Sequence, residues 1–91
     1  MTSKSHLTAR ALVLASGPDN PAAAEVVSKT LSQFVYELIE LQRIDLGGRT
    51  IIALLIAHDP AHLEAIRLDL EKMGTETNLD IAVLEIEDKL P

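Results

Sequence analysis

One short loop in this sequence combines the residue types that could hold a small charged molecule. An apolar run ends in Ser-Gly-Pro-Asp-Asn-Pro at 16–21, and an alanine-rich segment follows directly. The first backbone N–H groups of a helix are unpaired and carry the positive end of the helix dipole, so they attract a carboxylate. Asp19 and the side chain of Asn20 would lie beside them and could take an ammonium group. The pattern therefore predicts a site for a zwitterion such as an amino acid, formed by Gly17, Asp19, Asn20, Pro21 and Ala22.

The same loop also has a purely structural interpretation. Asn20 is a favoured N-cap residue, and Pro21 suits the first helical position because that position needs no N–H donor. On this alternative the loop only starts a helix and holds no ligand. Both interpretations stay open at the level of the sequence.

Catalytic and metal-binding patterns are weak elsewhere in the chain. His58 and His62 have the i, i+4 spacing that can place two imidazoles on one metal, but Pro60 puts a helix start between them. We therefore interpret both as exposed histidines at a strand–helix corner. The sequence places no histidine and acid beside Ser16, and a serine in such a turn usually bonds to the backbone. Because the chain also lacks an Asp-x-Asp motif, we expect no catalytic residue, no metal, no cofactor and no enzymatic activity in it.

Composition narrows the class of protein further. The chain has 91 residues, 47% of them hydrophobic, and no cysteine, which fits one small domain without disulfides or thiolate ligands. We predict a single domain over 1–91, in which 1–7 form a flexible tail. The formal net charge of −6 opposes binding to nucleic-acid phosphates. Since no apolar stretch reaches the roughly 18 residues of a membrane span and no secretion signal is visible, we expect a cytoplasmic protein without nucleic-acid or membrane partners.

Hydrophobic periodicity divides the chain into six elements. Strands are predicted at 8–16 and 78–88, and residues 36–57 form a β-hairpin because Gly47 and Gly48 tolerate the positive φ of a two-residue turn. Helices fill the two remaining intervals. The order βαββαβ predicts an α+β fold, a ferredoxin-like sandwich with a four-stranded antiparallel sheet and two helices on one face.

Both helices begin with the same chemistry. The second helix has Asp59 as its N-cap and Pro60 at its first position, and Gly74 fits a C-terminal stop.

The first helix carries one apolar stripe that faces the core. The stripe comprises Ala23, Val26, Val27, Leu31 and Phe34. Only two residues in the chain are aromatic, so the core must be aliphatic.

The glycine turn fixes the partners within the predicted hairpin. It pairs Leu46 with Arg49, Ile44 with Ile51, and Leu41 with Leu54. The face that supports the helices then carries Ile39, Leu41, Ile52, Leu54 and Ile56. The opposite face carries Leu38, Ile44, Leu46, Ile51 and Leu55 among the polar residues Glu40, Gln42 and Arg49. Since a solvated face would be more polar, we predict that a partner covers it through Leu38, Ile44, Ile51 and Leu55.

The architecture alone does not assign a function, because this sandwich hosts many activities. An RNA-recognition domain needs aromatic residues on its central strands, and a soft-metal chaperone needs paired cysteines. This sequence has neither. A binding or interaction module is therefore the expected class.

Three segments in the same order resemble the ACT domain, and more closely the N-terminal ACT domain of actinobacterial-type phosphoserine phosphatases. Gly17, Asp19 and Pro21 match a G-x-D-x-P-G loop that follows the first strand in that family. The segment "VYELIELQRIDLGGRTIIALLIA" matches the family's hairpin, and "LDIAVLEIEDKLP" matches its exit strand. The resemblance covers 11–91.

This resemblance implies a regulatory domain of L-serine biosynthesis that binds serine or glycine where the first loop meets a neighbouring ACT unit. It also implies homodimer or ACT–ACT pairing through sheet edges or faces. The phosphatase itself would use Mg²⁺ in a haloacid-dehalogenase-type domain beyond Pro91.

One position departs from the family pattern. The family has glycine after the loop proline, whereas this chain has Ala22, whose methyl group could obstruct a ligand. Two alternatives therefore remain, namely a structural dimerisation domain that has lost ligand binding and a free-standing ACT-like regulator that acts in trans.

Overall fold

The computed structural model describes residues 6–86. Its elements in chain order are β1 (Ala9–Pro18), α1 (Ala23–Leu31), β2 (Tyr36–Leu46), β3 (Arg49–His58), a short 3₁₀ turn (Pro60–His62), α2 (Leu63–Thr77) and β4 (Asp80–Ile86). The four strands form one sheet in the order β2-β3-β1-β4, and every neighbouring pair is antiparallel. The predicted ferredoxin-like fold is confirmed. The predicted tail at 1–7 and the end of the exit segment, 87–91, lie partly or wholly outside the described residues.

The core lies between the sheet and the two helices, and it is aliphatic as predicted. Alternate residues of the central strands point into it, and α1 and α2 each add one buried stripe. The strand residues are Ala11, Val13, Ala15, Ile52, Leu54 and Ile56, and the helix residues are Ala23, Val27, Leu31, Ile66, Leu70 and Met73. Phe34 and Tyr36 are only partly buried at its border.

The hairpin has the predicted turn and the predicted register near it. Gly47 and Gly48 have φ values of 60° and 77°, which only glycine adopts readily in succession. Leu46 pairs with Arg49, Ile44 with Ile51, and Leu41 with Leu54. All three predicted pairs are therefore confirmed.

Further from the turn, a β-bulge between Leu38 and Glu40 corrects the predicted faces. The extra residue, Ile39, shifts the pairing so that Leu38 lies opposite Ile56. Ile56 is fully buried under the helices, so Leu38 shares the helix side of the sheet. The prediction that Leu38 belongs to the opposite face is wrong, because strict alternation does not hold across a bulge.

The ends of α2 differ from the sequence prediction at one terminus. Asp59 caps as predicted, since its side chain accepts a hydrogen bond from the N–H of Ala61 at 2.9 Å, although the first turn is 3₁₀. The predicted stop at Gly74 is wrong, because the helix continues to Thr77. Asn78 ends it instead in the left-handed conformation, with φ 61° and ψ 43°.

Gly74 has a packing role inside α2. A Cβ atom at this position would lie 2.6 Å from Cγ1 of Ile81 and 2.6 Å from the carbonyl oxygen of Leu79. The missing side chain therefore lets α2 approach β4 closely. Among residues 6–86, no helix is long and apolar enough to span a membrane.

We predict that Gly74→Ala destabilises the domain. Alanine improves helix propensity by about 1 kcal/mol, but the added methyl group overlaps backbone and side-chain atoms, and such overpacking costs roughly 1–3 kcal/mol. The expected result is a lower urea midpoint of unfolding. Thr75→Ala is the matched control, because Thr75 is exposed and its hydroxyl bonds only to the preceding turn. A Gly74→Ala midpoint equal to or above that of the parent would contradict the packing role.

Candidate functional site

The first loop connects β1 to α1 and contains four of the five residues of the predicted ligand site, and the fifth, Gly17, lies near the end of β1. Asp19, Pro21 and Ala22 are exposed, and Asn20 is partly buried. Gly17 is buried at the end of β1, where a Cβ atom would lie 2.8 Å from the carbonyl oxygen of Asn78. Its glycine identity is therefore explained by contact with the connection between α2 and β4.

Asn20 organises the helix start, but not as the predicted N-cap. Its side-chain oxygen accepts the N–H of Ala22 at 3.0 Å, and its backbone carbonyl accepts the N–H of Ala23 at 3.2 Å. The helix begins at Ala23, with Ala22 as its N-cap and Pro21 in the preceding turn. The predicted helix start is wrong by two residues, because the side chain of Asn20 closes a local turn before the helix begins.

This local bonding limits what the loop can offer to an anion. The N–H groups of Ala22 and Ala23 already have acceptors within the loop. A carboxylate that used them would have to displace bonds made by Asn20. The side chain of Asn20 is also occupied, so its predicted contact with an ammonium group requires the same turn to open.

A polar latch from the β2–β3 hairpin holds the loop in place. The hydroxyl of Thr50 accepts the N–H of Asn20 at 3.1 Å and donates to Asp45 at 2.9 Å. Arg43 donates to the carbonyl oxygens of Pro21 at 3.3 Å and Asn20 at 3.4 Å. We call Arg43, Asp45 and Thr50 the loop latch.

The charges of the loop latch stabilise each other. Nε of Arg43 lies 3.0 Å from a carboxylate oxygen of Asp45. Hydrogen bonds from Arg43 and then Thr50 lower the pKa of the Asp45 carboxyl. The bond to Asp45 raises the pKa of the Arg43 guanidinium, and the nearby charge of Asp19 adds to this effect.

Sequence reasoning missed the loop latch. Arg43 and Asp45 occupy helix-side positions of β2 that the period-2 pattern would assign to apolar residues, and Asp45 pairs directly with Thr50. Polar residues at such positions close to a hairpin turn are the signal that could have indicated a contact with the first loop.

A concave space beside the loop lies toward the hairpin turn. It has a volume of about 210 Å³ and is lined by Asp19, Asp45, Leu46, Gly47, Gly48 and Arg49. The helix start is not part of this lining. Among the predicted ligand residues, Asp19 alone faces this cavity.

The face of the sheet opposite the helices is exposed and largely apolar. We call it the open face and define it by Leu12, Leu14, Ile44, Ile51, Ala53, Leu55, Ala82, Leu84 and Ile86. Pairing places these residues side by side on β3, β1 and β4, and Ile44 of β2 lies beside Ile51. Glu40 and Gln42 of β2 occupy the positions beside Leu55 and Ala53. Three of the four predicted interface residues, Ile44, Ile51 and Leu55, lie on it, whereas Leu38 lies on the helix side.

The histidines and Ser16 do not assemble a reactive site in the described structure. His58 is fully buried, which corrects its predicted exposure, and its Nδ1 lies 2.9 Å from the carbonyl oxygen of Asp59. His62 is exposed, and its ring lies 6.1 Å from that of Phe34 at a tilt of 45°. The hydroxyl of Ser16 accepts a bond from Arg49, which pairs with Asp80. Within 6–86, no group of three His, Asp or Glu side chains could hold a metal ion.

A model of the ACT domain family matches residues 9–84, from the start of β1 almost to the end of β4. Comparison with curated proteins finds none that matches the sequence.

Solved structures share the fold at low sequence identity. The ACT domain protein from Streptococcus pneumoniae is 15% identical with a TM-score of 0.76, over 85% of this chain and 89% of that chain. Formyltetrahydrofolate deformylase from Burkholderia mallei is 16% identical with a TM-score of 0.73, over 85% of this chain and 28% of that chain. The regulatory subunit of aspartate kinase from Thermus thermophilus is 17% identical with a TM-score of 0.64, over 86% of this chain and 56% of that chain. This chain thus spans only part of the last two proteins.

We predict that Thr50→Val releases the first loop. The substitution preserves shape but removes the hydroxyl that joins Asn20 to Asp45, and each lost bond costs on the order of 0.5–1.5 kcal/mol. Amide hydrogen exchange of Asp19 and Asn20 should become faster. Thr30→Val is the control, because the hydroxyl of Thr30 bonds only within α1. Equal exchange in parent and Thr50→Val would show that the latch does not hold the loop.

We also predict a pH dependence for the same loop. Because the folded pKa of Asp45 is lowered, its stabilising effect is fully present above its unfolded value of about 3.9 and is lost as the pH falls through the folded pKa. The amide resonance of Asn20 should stay constant from neutral pH to about pH 4 and shift below it. In Asp45→Asn this acid transition should disappear, and its persistence would assign the titration to another group.

Proposed function

The chain belongs to the ACT domain family of regulatory amino-acid-binding domains, and on this basis we propose that it is a regulatory and oligomerisation domain that pairs with another ACT unit. The observation that carries the proposal is the open face, where exposed apolar side chains run across four strands without a helix over them. Ile44 and Leu84, for example, remain 48% and 47% exposed. Contiguous apolar surface of this kind is typical of interaction sites.

Ligand binding at the first loop is the second part of the proposal. The ligand is an amino acid such as serine or glycine, bound by Gly17, Asp19, Asn20, Pro21 and Ala22 where the loop meets the neighbouring unit. The exposed Asp19 beside a cavity of about 210 Å³ supports it, because the carboxylate can receive an ammonium group.

A structural role without ligand binding is the competing function, and a specific observation favours it. The N–H groups of Ala22 and Ala23 are bonded to Asn20, and the methyl group of Ala22 stands where the related loop has glycine. Under this alternative the loop latch only stabilises the fold. A free-standing regulator that acts in trans is a further form of the same interaction role.

The parent enzyme that we propose is a cytoplasmic phosphoserine phosphatase of L-serine biosynthesis, with this chain as its N-terminal, non-catalytic domain. The loop, hairpin and exit motifs of the sequence support this assignment. Mg²⁺ would belong to the haloacid-dehalogenase-type domain of such an enzyme. The genomic reading frame tests this assignment, since it should continue past Pro91 into a domain with an Asp-x-Asp motif. A frame without that domain would favour the free-standing regulator instead.

We predict that serine or glycine at millimolar concentration shifts the NMR amide resonances of Asp19, Asn20 and Ala22 in the paired domain. Ala22→Gly should bind more tightly, because it removes the methyl group and frees the approach to the backbone. Glutamate is the control ligand, since Asp19 and Asp45 would repel its second carboxylate. If neither the parent nor Ala22→Gly responds while the domain is paired, the ligand role fails and the structural role remains.

A further inference from the structure

We propose that the open face binds a second copy of itself face to face, with the strands of the two copies antiparallel. This inference rests on the proposed pairing function and adds its geometry. The two-fold axis runs across the strands, between two neighbouring rows of side chains. We call them the leucine row, formed by Leu55, Leu12 and Leu84, and the alanine row, formed by Ala53, Leu14 and Ala82.

Strand register defines these rows. On β1, Leu12 pairs with Leu55 of β3 and with Leu84 of β4. One step along the same face, Leu14 pairs with Ala53 and with Ala82. Large side chains therefore fill one row completely, and the adjacent row has a small residue on each side of Leu14.

The alanine row is hollow at both of its ends. A concavity of about 170 Å³ lies at Ala53 and is also lined by Leu12, Leu55, Glu40 and Gln42. A second concavity of about 300 Å³ lies at Ala82, between Leu14, Ser16, Ile51, Asp80 and Ile81. The surface thus presents a ridge of leucines beside two hollows.

A two-fold rotation about an axis between the rows brings the ridge of each copy over the hollows of the other. Leu55 then enters the hollow at Ala53 of the second copy, and Leu84 enters the hollow at Ala82. Leu12 lies beside Leu14 of the second copy. Such an interface is isologous, so each contact occurs twice, and two sheets pack in this way about 10 Å apart.

The charge and the size of the open face are consistent with a second copy as its partner. The six residues of the two rows are uncharged, and the ion pair Arg49–Asp80 lies at the margin of the face. On the edge strand β2 the leucine row continues to Glu40, whose carboxylate accepts a hydrogen bond from Gln42 at 2.9 Å. The two-fold rotation places Glu40 opposite Gln42 of the second copy, so this charge lies at the side of the interface and keeps a polar partner. Four strands about 4.8 Å apart and roughly eight residues long give a projected area of about 500 Å². This is of the same order as the 800 Å² or so that each partner buries in a standard interface.

A row exchange tests the geometry. Ala53→Leu fills a hollow at two symmetry-related contacts, so the dissociation constant of the dimer, measured by sedimentation, should rise about tenfold or more. Leu55→Ala should also weaken the dimer, because it removes the ridge. The double variant Ala53→Leu/Leu55→Ala exchanges ridge and hollow on β3. Its dissociation constant should return to within about threefold of that of the parent. Ala65→Leu, an exposed site on α2, is the control and should change nothing.

Spin labels test the direction of the strands. The chain has no cysteine, so Asp19→Cys gives one label at the loop end of the sheet. Asp19 lies six residues beyond Val13, the midpoint between the rows, so the two labels should be about 40 Å apart in the antiparallel arrangement. A parallel arrangement would bring them much closer.

The outcomes separate this inference from the proposed function. The face-to-face geometry is overturned, while pairing itself stands, by any of three results for a dimer. These are an unchanged dissociation constant in Ala53→Leu, no recovery of the dissociation constant in the double variant, and closely spaced labels. A monomer at high micromolar concentration overturns both the geometry and the pairing of identical copies. Thermal unfolding, compared at a concentration at which parent and variants are all monomeric, should be unchanged and then shows that only association is affected.

Discussion

The register of β1 between β3 and β4 is the constraint on which the rest of the structure depends. It directs Ala11, Val13 and Ala15 toward the helices, and their small volume gives the core its close packing. Near its end the same register pairs Gly17 with Thr50, which places the Thr50 hydroxyl within reach of the first loop. A shift of one residue would reverse both faces and separate the loop from its latch.

The first loop shows a balance between stability and binding. Asn20, Thr50 and Arg43 satisfy polar groups that a ligand would otherwise use. A loop held in this way loses little entropy on binding, but it offers few free donors. The loop is therefore anchored by several hydrogen bonds to the hairpin. Whether it can bind a ligand depends on how readily the turn closed by the side chain of Asn20 opens.

The sequence predicted the element order, the sheet, the turn and the hairpin register, because these follow from periodicity and from the φ values of two glycines. It failed where a tertiary contact overrides a local rule. Gly74 looks like a helix stop in the sequence, but it lies inside α2 and lets β4 pack closely against the helix. The β-bulge at Ile39 moves Leu38 to the other face of the sheet, and no glycine in the sequence indicates the bulge. The latch was missed because its members are distant from the loop in sequence, whereas the loop residues themselves are contiguous.

The contact between Gly17 and the α2–β4 connection gives the first loop a mechanical link to the last described strand. Because Gly17 has no side chain, the end of β1 lies directly against Asn78 and Leu79, and β4 begins at the next residue, Asp80. Backbone in contact with backbone has little room to yield. A displacement of the loop would therefore also displace the start of β4. Because β4 is an edge strand, a change at the first loop would alter the position of that edge of the sheet.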